Sequence, residues 1–495
     1  MICKISLPFT LFMPRFSRLA TRFVHNGERT AIANRESIEK WRKRNLYYYQ
    51  DLENIYKFFV QPESDVLEIG CGLGYLLNAV NPQSGLGIDI DPQVIEIARE
   101  KFLDLNFSVA QAEAFSHEKH FDYILLDNTI SSLKNIQKTF SNIHQVCKPS
   151  TKIILTFHNP AWEIILKLAT FLGQRKPIKN ANWLSYEDVK NLLILEGFEV
   201  VFHGKQMLLP RRIPLLFWLF NKILAPLPII NHLCLTEYII ARIQPPSFPG
   251  EQNFHNLTCS VIIPARNEAG NIESCITRMP ALGKHTEIIF VEGHSTDNTW
   301  EEIQRVQAKY SQEWDIKICQ QKGQGKGNAV REGFAMATGD ILIILDSDLT
   351  VIPEDLIYFF QAVASGRCEL ANGCRLIYPL SNQAMPWLNR IANRFFAWLL
   401  SYLLNTKIKD SLCGTKALSK ENYQRIAANR SYFGDFDPFG DFDLLFGAAK
   451  LGLQIKDIPV KYFPRTYGRS NIHHFKEGLV LLKMCLYAAK KIKFR

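Results

Sequence analysis

The chain has 495 residues, 47% of them hydrophobic and 21% charged; this balance excludes a disordered chain, and the length exceeds one ordinary domain. Net charge is +10, with the surplus concentrated from Lys461 onward, where nine Lys or Arg are accompanied by Glu477 as the single acid. The eleven cysteines form no CxxC pair or Cys/His cluster, which argues for reduced thiols and against a disulfide framework or a zinc site.

The first 27 residues hold four Lys or Arg and no acid, but no A-x-A-like cleavage site follows; residues 1–40 are expected to be an N-terminal extension rather than a targeting peptide. The stretch "DVLEIGCGLGYLLNAV" (Asp65–Val80) then reads as strand, glycine turn and helix. Gly70, Gly72 and Gly74 allow the backbone to turn sharply and to approach a ligand closely. "SGLGIDIDPQVIEIARE" is a second strand ending in Asp89, about twenty residues past the loop, where a carboxylate accepts from ribose hydroxyls. An NAD fingerprint needs a glycine where this chain has Tyr75; the triplet is instead G-x-G-x-G, preceded by the acid Glu68.

That pattern resembles motif I of class I S-adenosylmethionine-dependent methyltransferases, over roughly Tyr47 to Gln244. The resemblance implies S-adenosyl-L-methionine as cofactor. It places Glu113 and Ala114 of "QAEAF" at adenine, and Asp127 at the end of a fourth strand, "FDYILLD". His158, after the strand "KIILTF", is either a general base or a plain loop histidine. Further on, "IPLLFWLFNKILAPLPII" (Ile213–Ile230) is the most apolar span, but Asn221, Lys222 and internal prolines argue against a transmembrane helix.

"IQPPSFPGEQNFHN" (Ile243–Asn256) is the clearest break, and a linker is expected over 245–256. Beyond it three strands in succession end in polar residues. "CSVIIPARNEAGNI" contributes Pro264, Arg266, Asn267 and Glu268; "EIIFVEGHSTDNTWEEI" contributes Glu292, Ser295 and Asp297; "DILIILDSDLTVIPEDL" delivers Asp346 and Asp348. Lys322 and Lys326 lie in a glycine-rich turn between the second and third of these. In an open parallel sheet ligands bind outside the carboxyl ends of the strands. Paired carboxylates there suit a hard divalent cation, Mg²⁺ or Mn²⁺, that bridges a nucleotide diphosphate.

From about Leu257 onward the chain closely resembles family 2 glycosyltransferases of the GT-A fold. The resemblance implies a nucleotide-sugar donor and the metal motif "DSD". One departure is Glu292-Gly293-His294, where the family usually has D-D-G. "KDSLCGTKAL" and "FPRTYGRS" resemble segments of polyprenyl- and dolichyl-phosphate sugar transferases, which carries over to Asp410, Gly414, Lys416, Asp443, Arg465, Gly468 and Ser470. By that resemblance Arg465, Arg469 and Ser470 hold phosphates, and Asp443 is a weak base or an orienting group.

A lipid acceptor needs a membrane surface. "PWLNRIANRFFAWLLSYLLN" sets Leu388, Ile391, Phe395, Trp398 and Tyr402 on one helical stripe. Residues 476–495 set Lys476, Lys483 and Lys490 opposite Leu479, Leu482, Leu486 and Ala489. The chain is therefore expected to be an α/β protein of two domains, each with a mainly parallel, doubly wound sheet. A Rossmann-like methyltransferase domain spans 41–244, a GT-A domain 257–475, and a basic amphipathic helix 476–495. The expected activity is bifunctional, with metal-dependent, inverting sugar transfer to a polyprenyl phosphate or other lipid. The expected location is cytoplasmic, peripheral on the inner, anionic membrane face, without nucleic acid. The alternative is a soluble hydroxyl acceptor, with the first half a non-catalytic binding module.

Overall fold

The alternating aliphatic and amphipathic runs become two seven-stranded sheets. The computed structural model describes residues 39–174, 182–211, 213, 215–245, 256–378, 385–432, 440–468 and 474–493. In the first half, β1 (Asp65–Ile69), β2 (Ser84–Asp89), β3 (Asn106–Val109), β4 (Phe121–Asp127), β5 (Cys147–His158), β6 (Phe198–Gln206) and β7 (Thr236–Ile243) lie in the order β3-β2-β1-β4-β5-β7-β6. Strands β1 to β5 run parallel, and β7 is antiparallel to both its neighbours.

In the second half, β8 (Thr258–Ala265), β9 (His285–Glu292), β10 (Asp315–Gln320), β11 (Ile341–Ile344), β12 (Leu370–Cys374), β13 (Lys416–Ser419) and β14 (Ile455–Pro459) lie in the order β10-β9-β8-β11-β13-β12-β14. Here β13 runs against both β11 and β12. Both sheets are thus mixed, mostly parallel, each with one reversed strand. The aliphatic runs of β5 and β11 are buried on both faces, as central strands of covered sheets are. Their burial leaves the polar residues at the strand ends as the natural place for chemistry.

The two halves share a continuous cluster of buried apolar side chains, from Phe58 and Phe59 through Ile240 to Phe442 and Leu445. A charged knot joins them as well. Lys152, fully buried in mid-strand β5, donates to both oxygens of Glu369 at 2.6 and 2.8 Å. Arg242 on β7 lies 3.3 Å from the same carboxylate and also donates to Gly366 O at 2.6 Å. Burial pushes the Lys152 ammonium down to about 8 even though Glu369 favours its charge. Removing one partner of such a pair leaves an uncompensated buried charge, at a cost of about 3–5 kcal/mol. Glu369→Gln is therefore expected to lower the thermal midpoint of both halves together, read by calorimetry. Separate unchanged transitions would contradict a shared body.

The C-terminal helix spans His474–Ile492 and buries Leu481, Met484, Cys485 and Ala488 in this cluster. It is therefore part of the domain rather than an appended tail, with Leu479 and Leu486 left exposed. Residues 1–38, 246–255 and Lys476's side chain lie outside the described residues, so the extension and linker expectations fall there. Among the described residues no helix is long and apolar enough to cross a membrane.

Candidate functional site

The glycine turn after β1 is built around open space. Added Cβ atoms at Gly70 and Gly74 would meet Thr129 and Phe107 at 2.7 and 2.6 Å, so these positions hold the turn against the protein body. At Gly72, with φ +52°, a Cβ would meet nothing within 4 Å. That side of the turn is open among the described residues. Asp89, at the end of β2, accepts from Gly72 N and Asp91 N, each at 3.0 Å, which holds its carboxylate beside the turn.

Two other expected cofactor contacts are engaged inwards. Glu68 is buried, and its carboxylate accepts from Leu77 N at 2.9 Å, fastening the helix Tyr75–Ala79. Burial, reinforced by Asp127, holds its carboxyl well above the usual range. Glu68 thus fastens the helix that follows the turn. Glu113 likewise accepts from Lys134 N and Asn135 N at 3.0 and 3.3 Å, while Ala114 beside it is exposed.

At the ends of β4 and β5 a polar chain forms. Asp127 accepts from Thr156 Oγ1 at 2.7 Å and from Asn128 Nδ2 at 3.0 Å. Asn128 also donates to Tyr48 Oη at 3.1 Å, and that oxygen lies 3.2 Å from His158 Nε2. Trp183 closes the other side of His158, with ring centroids 6.4 Å apart. Sequence reasoning found Asp127 and His158 but missed Tyr48, Asn128 and Trp183. The aromatic triplet Tyr47–Tyr49 was the available signal.

In the second sheet the ends of β8, β9 and β11 converge. Asn267 N donates to Ser295 Oγ at 3.0 Å, and Asn267 Oδ1 accepts from Thr296 N at 2.7 Å, locking the two turns together. Ser347 Oγ donates to Pro264 O at 2.9 Å, tying the β11 turn to β8. Glu292 is buried and accepts from Ser295 N at 2.5 Å, which shapes the turn. Asp297 Oδ1 accepts from Thr299 N at 3.1 Å at the start of the helix Thr299–Tyr310. Arg266 and Lys322 are exposed at the rim.

The carboxylate pair is neutralised by two cations of the chain itself. Lys326 Nζ lies 2.6 Å from Asp346 Oδ1, and Arg465 Nη2 donates to Asp348 Oδ2 at 2.7 Å. Arg465 also donates to the buried Glu268. Burial raises the Asp346 carboxyl, but Lys326, with Lys416 and Arg375, more than offsets this and holds it below the usual carboxylate range. For Glu268 the balance goes the other way, and burial keeps its carboxyl raised despite Arg465. A Cβ on Gly414 would fall on Lys326 Nζ and Asp346 Oδ2, so glycine there keeps this corner open. Among the described residues no three His, Cys, Asp or Glu gather as a complete metal cage. The donor set fits a cation that takes its remaining ligands from phosphate and water.

Other expected residues are engaged with partners of their own. Asp410 is fully buried in a two-pronged ion pair with Arg375 at 2.8 and 2.9 Å, and although burial raises its carboxyl, Arg375 draws it down to about 2. It serves the scaffold. Lys416 is buried and donates to Cys413 O at 2.5 Å. Asp443 accepts from Arg430 Nε at 2.7 Å. Arg469 and Ser470 lie outside the described residues.

Residues 260–426 match the glycosyl transferase family 2, and residues 36–203 match a methyltransferase domain family. Dolichol-phosphate mannosyltransferase from Pyrococcus furiosus is 32% identical over 221 residues, covering 43% of this chain and 58% of that protein. The chain thus spans little more than half the length of this curated relative. A SAM-dependent methyltransferase from Methanosarcina mazei is similar in structure over 38% of this chain and 97% of that one, at 19% identity and a TM-score of 0.29. Glucosyl-3-phosphoglycerate synthase from Mycobacterium tuberculosis, solved with Mn²⁺ and UDP, covers 48% of this chain and 80% of that one, at 19% identity and a TM-score of 0.35.

Proposed function

From the premise that this chain joins a methyltransferase domain to a family 2 glycosyltransferase domain, we propose that the second moves a sugar from a nucleotide sugar to a polyprenyl phosphate and the first transfers methyl from S-adenosylmethionine. One observation carries the sugar-transfer reading: Asp346 and Asp348 stand at the end of β11 balanced by Lys326 and Arg465. Two carboxylates matched by two long-chain cations form an exchangeable charge set. Asp346 and Asp348 would hold Mg²⁺ or Mn²⁺, which when bound supplies charge compensation for a departing nucleoside diphosphate.

The chain's own residues do the rest. Lys326 and Arg465, released from the carboxylates, turn to phosphate oxygens, for which Arg is suited by its planar fork. The locked Asn267–Ser295 turns fix the donor's nucleoside end. Glu268 keeps Arg465 on the cleft side. A phosphomonoester acceptor is already ionised near neutral pH, its second pKa being about 6, so positioning suffices and no base is required. Similarity to the dolichol-phosphate mannosyltransferase of Pyrococcus furiosus supports the same class of acceptor. In the first half, the open face of Gly72 and the tethered Asp89 would cradle S-adenosylmethionine, whose sulfonium supplies the methyl group.

The test is a panel of nucleotide sugars with a short-chain polyprenyl phosphate and Mn²⁺ or Mg²⁺, read by mass spectrometry. One sugar added per lipid phosphate, lost on chelation, is the expected result. Sugar appearing only on soluble saccharides would replace this acceptor with a hydroxyl.

A further inference from the structure

The span Ile213–Ile230, too interrupted to cross a bilayer, is folded inside out. Its polar Asn221 is buried: Oδ1 accepts from Leu208 N and Leu209 N, both at 2.8 Å, while Nδ2 donates to Leu209 O at 2.8 Å and Tyr47 Oη at 3.1 Å. Its large apolar side chains face out, with Leu215, Trp218 and Ile229 exposed by 83%, 54% and 87%. The helix Glu163–Phe171 repeats the inversion. Leu166 is its one buried residue, whereas Ile164, Leu168 and Phe171 are exposed by 80%, 56% and 87%.

The two elements are laced into one face. Trp162 Nε1 donates to Leu233 O at 2.8 Å, Asn159 Nδ2 donates to His232 O at 2.9 Å, and Arg44 and Arg211 both donate to Gln174 Oε1 at the helix's far end. The Tyr402 hydroxyl donates to Pro226 O, which ties this span to the helix Trp387–Leu404 of the second half. There Leu388, Ile391, Phe395 and Trp398, the stripe expected from periodicity, are all exposed, with Leu479 and Leu486 on the last helix. Arg394, Lys483 and Lys490 stand exposed on the same two helices. Polar groups turned in, apolar groups turned out and cations alongside match an anionic lipid surface.

This face adjoins the methyl centre. Leu166 packs with Met207 and Leu235, against which Tyr47, Tyr48, Trp162 and Trp183 lie, and Tyr48 and Trp183 flank His158. We propose that the methyl acceptor is a hydroxyl-bearing amphiphile held in an anionic bilayer, which docks on this face and presents its head to Tyr48, His158 and Trp183. The proposal rests on the methyl-transfer reading of the first domain. The acceptor oxygen bonds to the methyl carbon as that carbon's bond to the sulfonium sulfur breaks. The hydroxyl proton passes to the Tyr48–His158 pair, and S-adenosylhomocysteine leaves.

The test uses the full chain, vesicles of phosphatidylglycerol and phosphatidylcholine carrying cellular lipid extract, and S-adenosylmethionine labelled in its methyl group. Wild type is expected to float with the vesicles and to put label into the organic phase. Leu168→Asp/Phe171→Asp is expected to cut both at least tenfold while S-adenosylmethionine binding by calorimetry stays unchanged. Label confined to water-soluble products, or full lipid labelling by the double variant, overturns the proposal. So does a wild-type dimer that the double variant dissociates without any vesicle binding, since the face is then a subunit contact. Absence of S-adenosylmethionine binding by wild type would instead reject the methyl-transfer reading beneath it.

Discussion

Asp348→Asn abolishes sugar transfer and leaves methyl transfer at its wild-type rate; this is the largest effect expected of a single change. The amide keeps an oxygen to accept from Thr350 Oγ1, a bond of 2.8 Å in the native chain, so the turn after β11 retains its shape. What is lost is one negative charge facing Arg465. Cation affinity falls with that charge, and Arg465 is left with Glu268 alone. Loss of a directly acting electrostatic group in a closed site is worth on the order of 10³-fold in turnover. Turnover against Mn²⁺ concentration measures it, since weakened cation binding shifts the half-saturating concentration upward as the maximal rate falls. Sugar transfer within tenfold of wild type would remove the carboxylate pair from the mechanism.

Gly72→Val gives the mirror result: no S-adenosylmethionine binding and no methyl transfer, with sugar transfer intact. The valine side chain would project into a part of the turn that no described residue occupies. A left-handed residue other than glycine costs about 1–2 kcal/mol in the backbone, too little to unfold the domain. Binding should fall by on the order of a hundredfold or more, about 2.7 kcal/mol. Gly74→Ala supplies the contrast. Its Cβ would press on Phe107 at 2.6 Å, so its main effect is a lower melting temperature. Equal loss of binding in the two variants, in step with stability, would mean that the loop matters only for folding.

Much of this was legible in the sequence because strands ending in glycine or carboxylate announce their ligand-facing ends. The positions of Asp89, Asp346 and Asp348 follow from the strand pattern alone. The orientation of an acid does not. Glu68 and Glu292 occupy motif positions yet turn inward to backbone N–H groups. Lys326 and Lys322 are equivalent in a motif, but only the first opens a helix, Lys326–Met336, within reach of Asp346. The pairing of Arg465 with Asp348 joins residues 117 apart, and local periodicity carries no information at that range. Periodicity also revealed the stripe from Leu388 to Trp398 without saying whether it faces core or solvent; only the packed neighbours decide that.

Strand β5 contributes Lys152 to the knot between the halves and, six positions on, His158 to the proposed methyl centre. A girder anchored in both halves resists the hinge motion by which many two-part proteins carry a bound group from one place to another. Any molecule processed at both centres must let go and travel on its own. If both centres open toward one lipid sheet, that journey becomes a two-dimensional search, confined to a thin layer around the protein.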